Sequence, residues 1–215
     1  MKKNLLTLIV VFVALLPAGY LLLVWPSLPQ TVPVHFGLDM KPDRLGNKAE
    51  LWLTTGVLAA VSVFVYFLLT NLHRFDLKRK DAAQSATFKK LATGLVVFLA
   101  ALNFLLVASA KNSGNVQSLL LPLVGLLFAF IGNYMNNIKP NYFAGLRVPW
   151  TLNNDENWRR THQLGGKLWF AGGMLIAVVC LFLQAPASFI FFICITVIMV
   201  LVPVVYSYQL FKKGF

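Results

Sequence analysis

The sequence predicts an all-α polytopic membrane bundle of six transmembrane helices with both termini cytoplasmic, and three observations carry that prediction. The 215 residues are 58% hydrophobic and only 12% charged, with a mean hydropathy of +0.72, which leaves too little polar surface to cover a soluble core. Six runs are long and apolar enough for a hydrocarbon layer of about 30 Å: Leu5 to Trp25, Leu51 to Leu72, Leu91 to Ala110, Ser118 to Met135, Lys167 to Leu183 and Phe189 to Tyr208. Cations fall on one side of them. With the amino terminus inside, that side holds Lys2, Lys3, Arg74, Lys78, Arg79, Lys80, Lys89, Lys90, Lys139, Arg147, Arg159, Arg160, Lys167, Lys212 and Lys213, against Lys41, Arg44, Lys48 and Lys111 on the other.

The first run outlasts the roughly 7 to 15 residues of a signal-peptide core and lacks a clean small-x-small cleavage site, so it reads as a span. Between it and the second run lies the exterior segment 26–50. Its prolines at 26, 29, 33 and 42 forbid a continuous helix, and Gly37 and Gly46 supply turns, so an ordered cap with an extended piece over Thr31 to Phe36 is expected. Residues 1–72 thus form an amino-terminal hairpin, 73–90 a basic cytoplasmic connector, and 91–215 a four-helix region with a cytoplasmic loop at 136–166. The short links KNSGN, Lys111 to Asn115, and QAPAS, Gln184 to Ser188, make their flanking helices antiparallel neighbours.

Gly125, Ala129 and Gly132 share one side of the fourth run, and the pairs Gly165/Gly166 and Gly172/Gly173 repeat at a spacing of seven in the next, which predicts close backbone contact between the two. Pro17, Pro122 and Pro203 are expected to kink their spans. Asn103 reads as an interhelical hydrogen bond or as part of a polar cavity. Cys180 and Cys194 read most simply as buried free thiols, with a disulfide between them as the alternative.

The polar island from Ile131 to Phe170 holds most of the remaining chemistry. Tyr134, Tyr142, Trp150, Trp158 and Trp169 suit the headgroup layer. Asn153 is placed to cap a new helix, with Glu156 completing a capping-box arrangement and Asp155 favouring the positive helix end. That helix runs through Trp158, His162 and Gly165 into the fifth span, with these residues on one side. Arg147 needs an acceptor: Asp155 or Glu156, a carbonyl, or a lipid phosphate. It acts either as a structural ion pair holding the loop to the fifth helix or as a binding group.

Several functions are excluded by what the chain carries. All seven acids lie outside the apolar runs, so the intramembrane carboxylates of a proton pump or intramembrane protease are missing. No GxSxG, phosphate-binding loop, HExxH or CxxC occurs, and His35 with Asp39 and Asp43, or His162 near Glu156, lacks the ligand density of a metal site. No enzyme, cofactor or metal is expected. The net charge of +12 is spread over four segments, which favours attraction to anionic lipid over nucleic-acid binding.

The segment carrying Gly132-Asn133, Lys139-Pro140-Asn141, Gly145 to Leu152, Trp158, Thr161-His162 and Gly165-Gly166 resembles the carboxy-terminal signature of the SdpI family of bacterial membrane proteins. Leu28 to Lys48, with its PVHF and later DRLGNK, is similar to the amino-terminal domain that accompanies it. Val148 departs from the usual threonine. The resemblance implies a six-span bundle and, as in the founding member, immunity to a secreted antimicrobial peptide outside with sequestration of a transcriptional repressor inside. It marks Asn133, Asn141, Arg147, Trp150, Thr151, Trp158, Thr161 and His162 as binding or coupling residues, and His35, Phe36, Asp43 and Arg44 as the exterior recognition set. A different reading is a small-solute or lipid transporter with Asn103, Asn133 and Arg147 lining a cavity.

Overall fold

The computed structural model describes residues 2–39, 41–72, 82–111 and 116–215. The connector cations His73, Arg74, Lys78, Arg79 and Lys80, and the link after Lys111, lie outside the described residues. Helices α1 (Lys2–Val24), α2 (Glu50–Asn71) and α3 (Ala82–Lys111) form one packed group. A second group contains α4 (Leu120–Met135), α6 (Asp155–Val179) and α7 (Ala187–Lys212), with the short α5 (Pro149–Asn153) between α4 and α6. Contact between α3 and α4 joins the groups.

Burial is inverted relative to a water-soluble fold. Leu23 and Phe182 are 81% and 82% exposed, whereas Thr55, Asn103, Asn157, Thr161 and His162 are inside. Such a surface is stable only where the solvent is itself apolar. Helices α1, α2, α3 and α7 are long and apolar enough to cross a membrane. The chain is an all-α polytopic membrane protein. Helix α4 has 16 residues, about 24 Å at 1.5 Å per residue, and α6 begins polar and ends apolar.

Small residues at helix contacts set the first group. Ala14 of α1 and Ala92 of α3 pack with Val10, Tyr66 and Val96. Asn103 of α3 bonds Thr55 of α2 in both directions, accepting from the hydroxyl at 3.1 Å and donating to the carbonyl at 3.3 Å. Its interhelical reading is therefore correct.

At the end of this group sits an antiparallel hairpin of β1 (Thr31–Phe36) and β2 (Pro42–Asn47). The expected extended piece is β1; its partner strand was not foreseen. Val32 is fully buried among Leu21, Val24, Leu28, Leu51, Val107 and Ala110, which seats the hairpin on α1, α2 and α3. Lys48 reaches back over the Trp25 ring at 4.7 Å.

Glycines set the second group, as the sequence indicated. A Cβ on Gly132 would lie 2.8 Å from the Gly166 carbonyl oxygen, and one on Gly125 would lie 2.7 Å from that of Gly173. The backbones of α4 and α6 are thus in direct contact. Gly172 faces the other way, onto Met199 of α7, and Trp169 donates to the Met199 carbonyl at 3.1 Å.

Three expectations need correction. Pro122 is the third residue of α4, where a proline costs no internal helix bond, so it starts the helix instead of kinking it. Cys194 is exposed while Cys180 is buried; the face of α7 carrying Cys194 looks outward. The fifth helix stops at Val179, short of Leu183, because 180–182 close as turns.

The glycine contacts yield a paired prediction. Gly173→Ala places a methyl against α4 backbone, which cannot move aside as a side chain would, and should cost about 1–3 kcal/mol. Gly56→Ala meets nothing within 4 Å and should be neutral or stabilising by up to about 1 kcal/mol. Thermal unfolding of the purified protein in detergent separates the two.

Candidate functional site

After α4 the chain must turn back onto α6 without leaving backbone groups bare. Asn141 does this with its whole amide. Its Nδ2 donates to the carbonyls of Lys139 (2.8 Å) and Ala144 (3.2 Å), and its Oδ1 accepts from the amides of Phe143 and Ala144. Gly145 then takes φ 111°, a left-handed conformation that a side chain would strain. A Cβ there would also strike the imidazole of His162 and sit 3.0 Å from the Trp158 ring.

Val148 is extended ahead of Pro149, which opens α5 at a position where its missing N–H matters least. Thr151 is fully buried. Its hydroxyl donates to the Leu146 carbonyl at 2.7 Å and accepts from the Val148 amide at 3.1 Å. Thr151 thus caps the Val148 amide, while a hydroxyl on residue 148 would serve the opposite half of such a box, the Thr151 amide.

The cap of α6 is Asn154, not Asn153. Its side chain accepts from the amides of Glu156 and Asn157, both at 2.9 Å, while Asn153 ends α5. The capping box expected with Glu156 does not form, because that carboxylate is committed elsewhere. It accepts from Arg159 at 2.7 and 2.8 Å and from Arg160 at 2.6 Å. These two guanidinium groups push the Glu156 pKa down to about 2.

One turn further on lies the centre of the site. Trp158 and His162 are each 1% exposed and stack with ring centroids 4.0 Å apart and planes 16° apart. The headgroup position expected for Trp158 is thereby overturned: its indole donates to the Ile138 carbonyl at 2.8 Å. His162 Nδ1 lies 2.8 Å from the Trp158 carbonyl, and Nε2 accepts from the Leu146 amide at 3.0 Å. Both nitrogens are satisfied only by the neutral Nδ1–H tautomer. Burial pushes the His162 pKa down to about 4, against a smaller upward pull from the Trp158 carbonyl.

The site also holds α7. Trp150 Nε1 donates to the Ser207 hydroxyl at 2.8 Å, and its ring stacks on Phe211 and meets Tyr208 at a tilt. Asn157, fully buried, donates to the Ser207 carbonyl at 2.9 Å and accepts from Thr161 at 3.1 Å. Asn157 and Ser207 are not among the residues that the sequence singles out. Their signals were a polar residue on the inward face of α6 and a lone serine inside an apolar span.

Six residues singled out from sequence therefore belong to one interlocked network: Asn141, Trp150, Thr151, Trp158, Thr161 and His162. Two do not. Asn133 is exposed on α4, and Arg147 is exposed with its guanidinium donating to the Tyr142 carbonyl. The ion pair with Asp155 or Glu156 considered for Arg147 is replaced by that carbonyl. Nor do Asn103, Asn133 and Arg147 share a cavity, since Asn103 is spent on Thr55 inside the other helix group.

His35, Phe36, Asp43 and Arg44 lie apart on the hairpin. His35 meets Asp43 at 2.6 Å, Arg44 meets Glu50 at 3.3 Å, and Phe36 pairs with Pro42 across the strands. Asp39 instead accepts from the Lys41 amide. Among the described residues, no three His, Cys, Asp or Glu side chains converge as metal ligands.

Residues 137–207, which contain this network, match the SdpI/YfhL protein family. This carboxy-terminal third of the chain is thus similar to the SdpI/YfhL family. Residues 12–59, covering the hairpin, match a domain of unknown function, DUF1648. Immunity protein SdpI of Bacillus subtilis (strain 168) is 24% identical over 215 residues, 99% of this chain and 98% of the relative. An uncharacterized protein of Archaeoglobus fulgidus is 40% identical over 75 residues, 35% of this chain and 39% of its own length. No solved structure matches. The similarity to a membrane immunity protein over nearly the whole chain and the apolar helices together make this a multi-pass protein of the cell membrane.

The buried histidine of this network sets an acid limit. Its folded pKa, about 4, lies below the ordinary value of about 6.5, so an unfolded chain binds the proton first. Stability is fully present above pH 6.5 and is lost as pH falls through that window toward 4. The unfolding midpoint in detergent should drop between pH 7 and 4.5 for the native protein and drop less for His162→Gln. Parallel curves for the two would contradict the assignment.

Proposed function

We propose that this SdpI-like chain is an immunity-type protein that protects its cell from a secreted antimicrobial peptide and passes occupancy to a cytoplasmic regulator. The observation that carries this reading is the similarity to an immunity protein over nearly the whole of both chains, which takes in the outer hairpin as well as the signature network. In this reading six spans place both termini inside, as the distribution of Lys and Arg favours, with α4 and the apolar half of α6 completing the six.

The hairpin is the part that meets the peptide. Its inner side is locked by Val32, while Leu38 and Leu45 are 66% and 63% exposed beside the His35–Asp43 and Arg44–Glu50 pairs. That mixture of apolar and paired charged groups suits an amphipathic peptide. Helix α3 is the natural relay. Its Val107 and Ala110 pack under the hairpin, and at its other end Phe88 and Leu91 pack with Ile138 and Trp158 of the signature network. Arg147, exposed on the inner loop, is then a contact for the regulator.

Expression in a peptide-sensitive host should raise the concentration of peptide needed to stop growth. Leu45→Asp and Arg147→Ala should each lower protection while the amount of protein in membranes stays constant, because neither side chain supports the core. A strain deleted for the gene that is no more sensitive than its parent would defeat the reading.

A further inference from the structure

Where α6 changes from polar to apolar, a groove opens against α4. Asn133 and Asn136 of α4 with Gln163 and Lys167 of α6 line an open cavity of about 490 Å³, floored by the backbone crossing of Gly132 and Gly166. Among the described residues none of these four side chains has a hydrogen-bonding or ionic partner. Three carboxamides and an ammonium group thus converge with no carboxylate among them. About two turns before Gln163, the charge of Glu156 is already taken by Arg159 and Arg160, so the surroundings are net positive.

The same face of α6 continues as an apolar channel. Residues 163, 167, 170, 174 and 178 are spaced three or four apart and form one stripe, and Leu181 in the turn that follows extends it. Below Phe170, Met174, Val178 and Leu181 line a second cavity of about 640 Å³, faced by Leu126 of α4 and Phe104 of α3. From Lys167 to Val178 the helix advances about 16 Å, about half of a hydrocarbon layer of about 30 Å.

We propose that this groove is a binding site for an anionic phospholipid, with the headgroup phosphate held by Lys167, Asn133, Asn136 and Gln163 and an acyl chain along Met174 to Leu181. Bulk lipid has no use for donors at a helix crossing. A phosphate does, and basic clefts between membrane helices are where lipid headgroups dock. Asn133, Asn136 and Lys167 are exposed along the groove, so their donors are open to a ligand. The assignment does not depend on the immunity reading, since it concerns the membrane's own lipid.

Native mass spectrometry of the full chain released from detergent, supplemented in turn with phosphatidylglycerol, phosphatidylcholine and inorganic phosphate, tests it. Phosphatidylglycerol should be retained in preference to the other two. Lys167→Gln should weaken its retention on the order of tenfold, as loss of one charge-assisted contact does, and Asn133→Ala should weaken it less. Lys212→Gln removes the same charge from the last turn of α7 and should change nothing, with unfolding midpoints checked for all three variants. Equal losses for Lys167→Gln and Lys212→Gln, no loss for both Lys167→Gln and Asn133→Ala, or inorganic phosphate bound as well as lipid would each overturn the proposal.

Discussion

Direct contact between the backbones of α4 and α6 is the constraint on which the rest of the carboxy-terminal region depends. In lipid, apolar side chains gain little by leaving acyl chains for one another, so helices associate where small residues permit dispersion contact over a long stretch. Gly125 and Gly132 of α4 lie against Gly173 and Gly166 of α6 with no room for a single methyl between them. That closeness brings the loop following α4 within reach of α6. Only then can the Leu146 amide meet His162 and the Ile138 carbonyl meet Trp158.

What is assembled there is a latch with its polar groups turned inward. Asn141, Thr151, Asn157, Trp158 and His162 are buried, and each is bonded to backbone or to another member of the set. A buried polar group without a partner is costly, while a fully satisfied network rigidifies its surroundings. These residues are therefore better suited to fixing the relative positions of α4, α6 and α7 than to contacting a ligand. Contact falls to what remains exposed: the hairpin at one end, Arg147 on the loop, and the amides beside Lys167.

Much of this was legible in the chain, and the misses have physical causes. The spans follow from hydropathy, and the α4–α6 contact follows from the spacing of glycines, because both signals are local and dominated by one effect. Strand β2, PDRLGN, carries no apolar alternation, since it lies exposed beyond β1, so nothing in its composition marks it as a strand. Asn153 and Asn154 are equivalent as caps by type, and the separate helix α5, started by Pro149, decides between them. Trp158 has the character of an interfacial tryptophan until Gly145 brings the loop over it. Cys194 and Cys180 look alike in sequence, and only the rotation of α7 separates an outward thiol from an inward one. For Arg147 the nearest acids suggested a pair, but Glu156 is held more tightly by arginines three and four residues along its own helix.

The central claim is that the signature segment is a closed latch around a neutral histidine, and the state of that ring can be observed directly. Nitrogen NMR of the full-length protein labelled at histidine, in micelles at pH 7.5 and 5.5, reports tautomer and protonation for each imidazole. One histidine signal, lost in a His162→Gln control, should hold the Nδ1–H tautomer unchanged across that range. A His162 signal that titrates near the ordinary histidine pKa, or that averages between tautomers, would show that the ring is wet and the latch open.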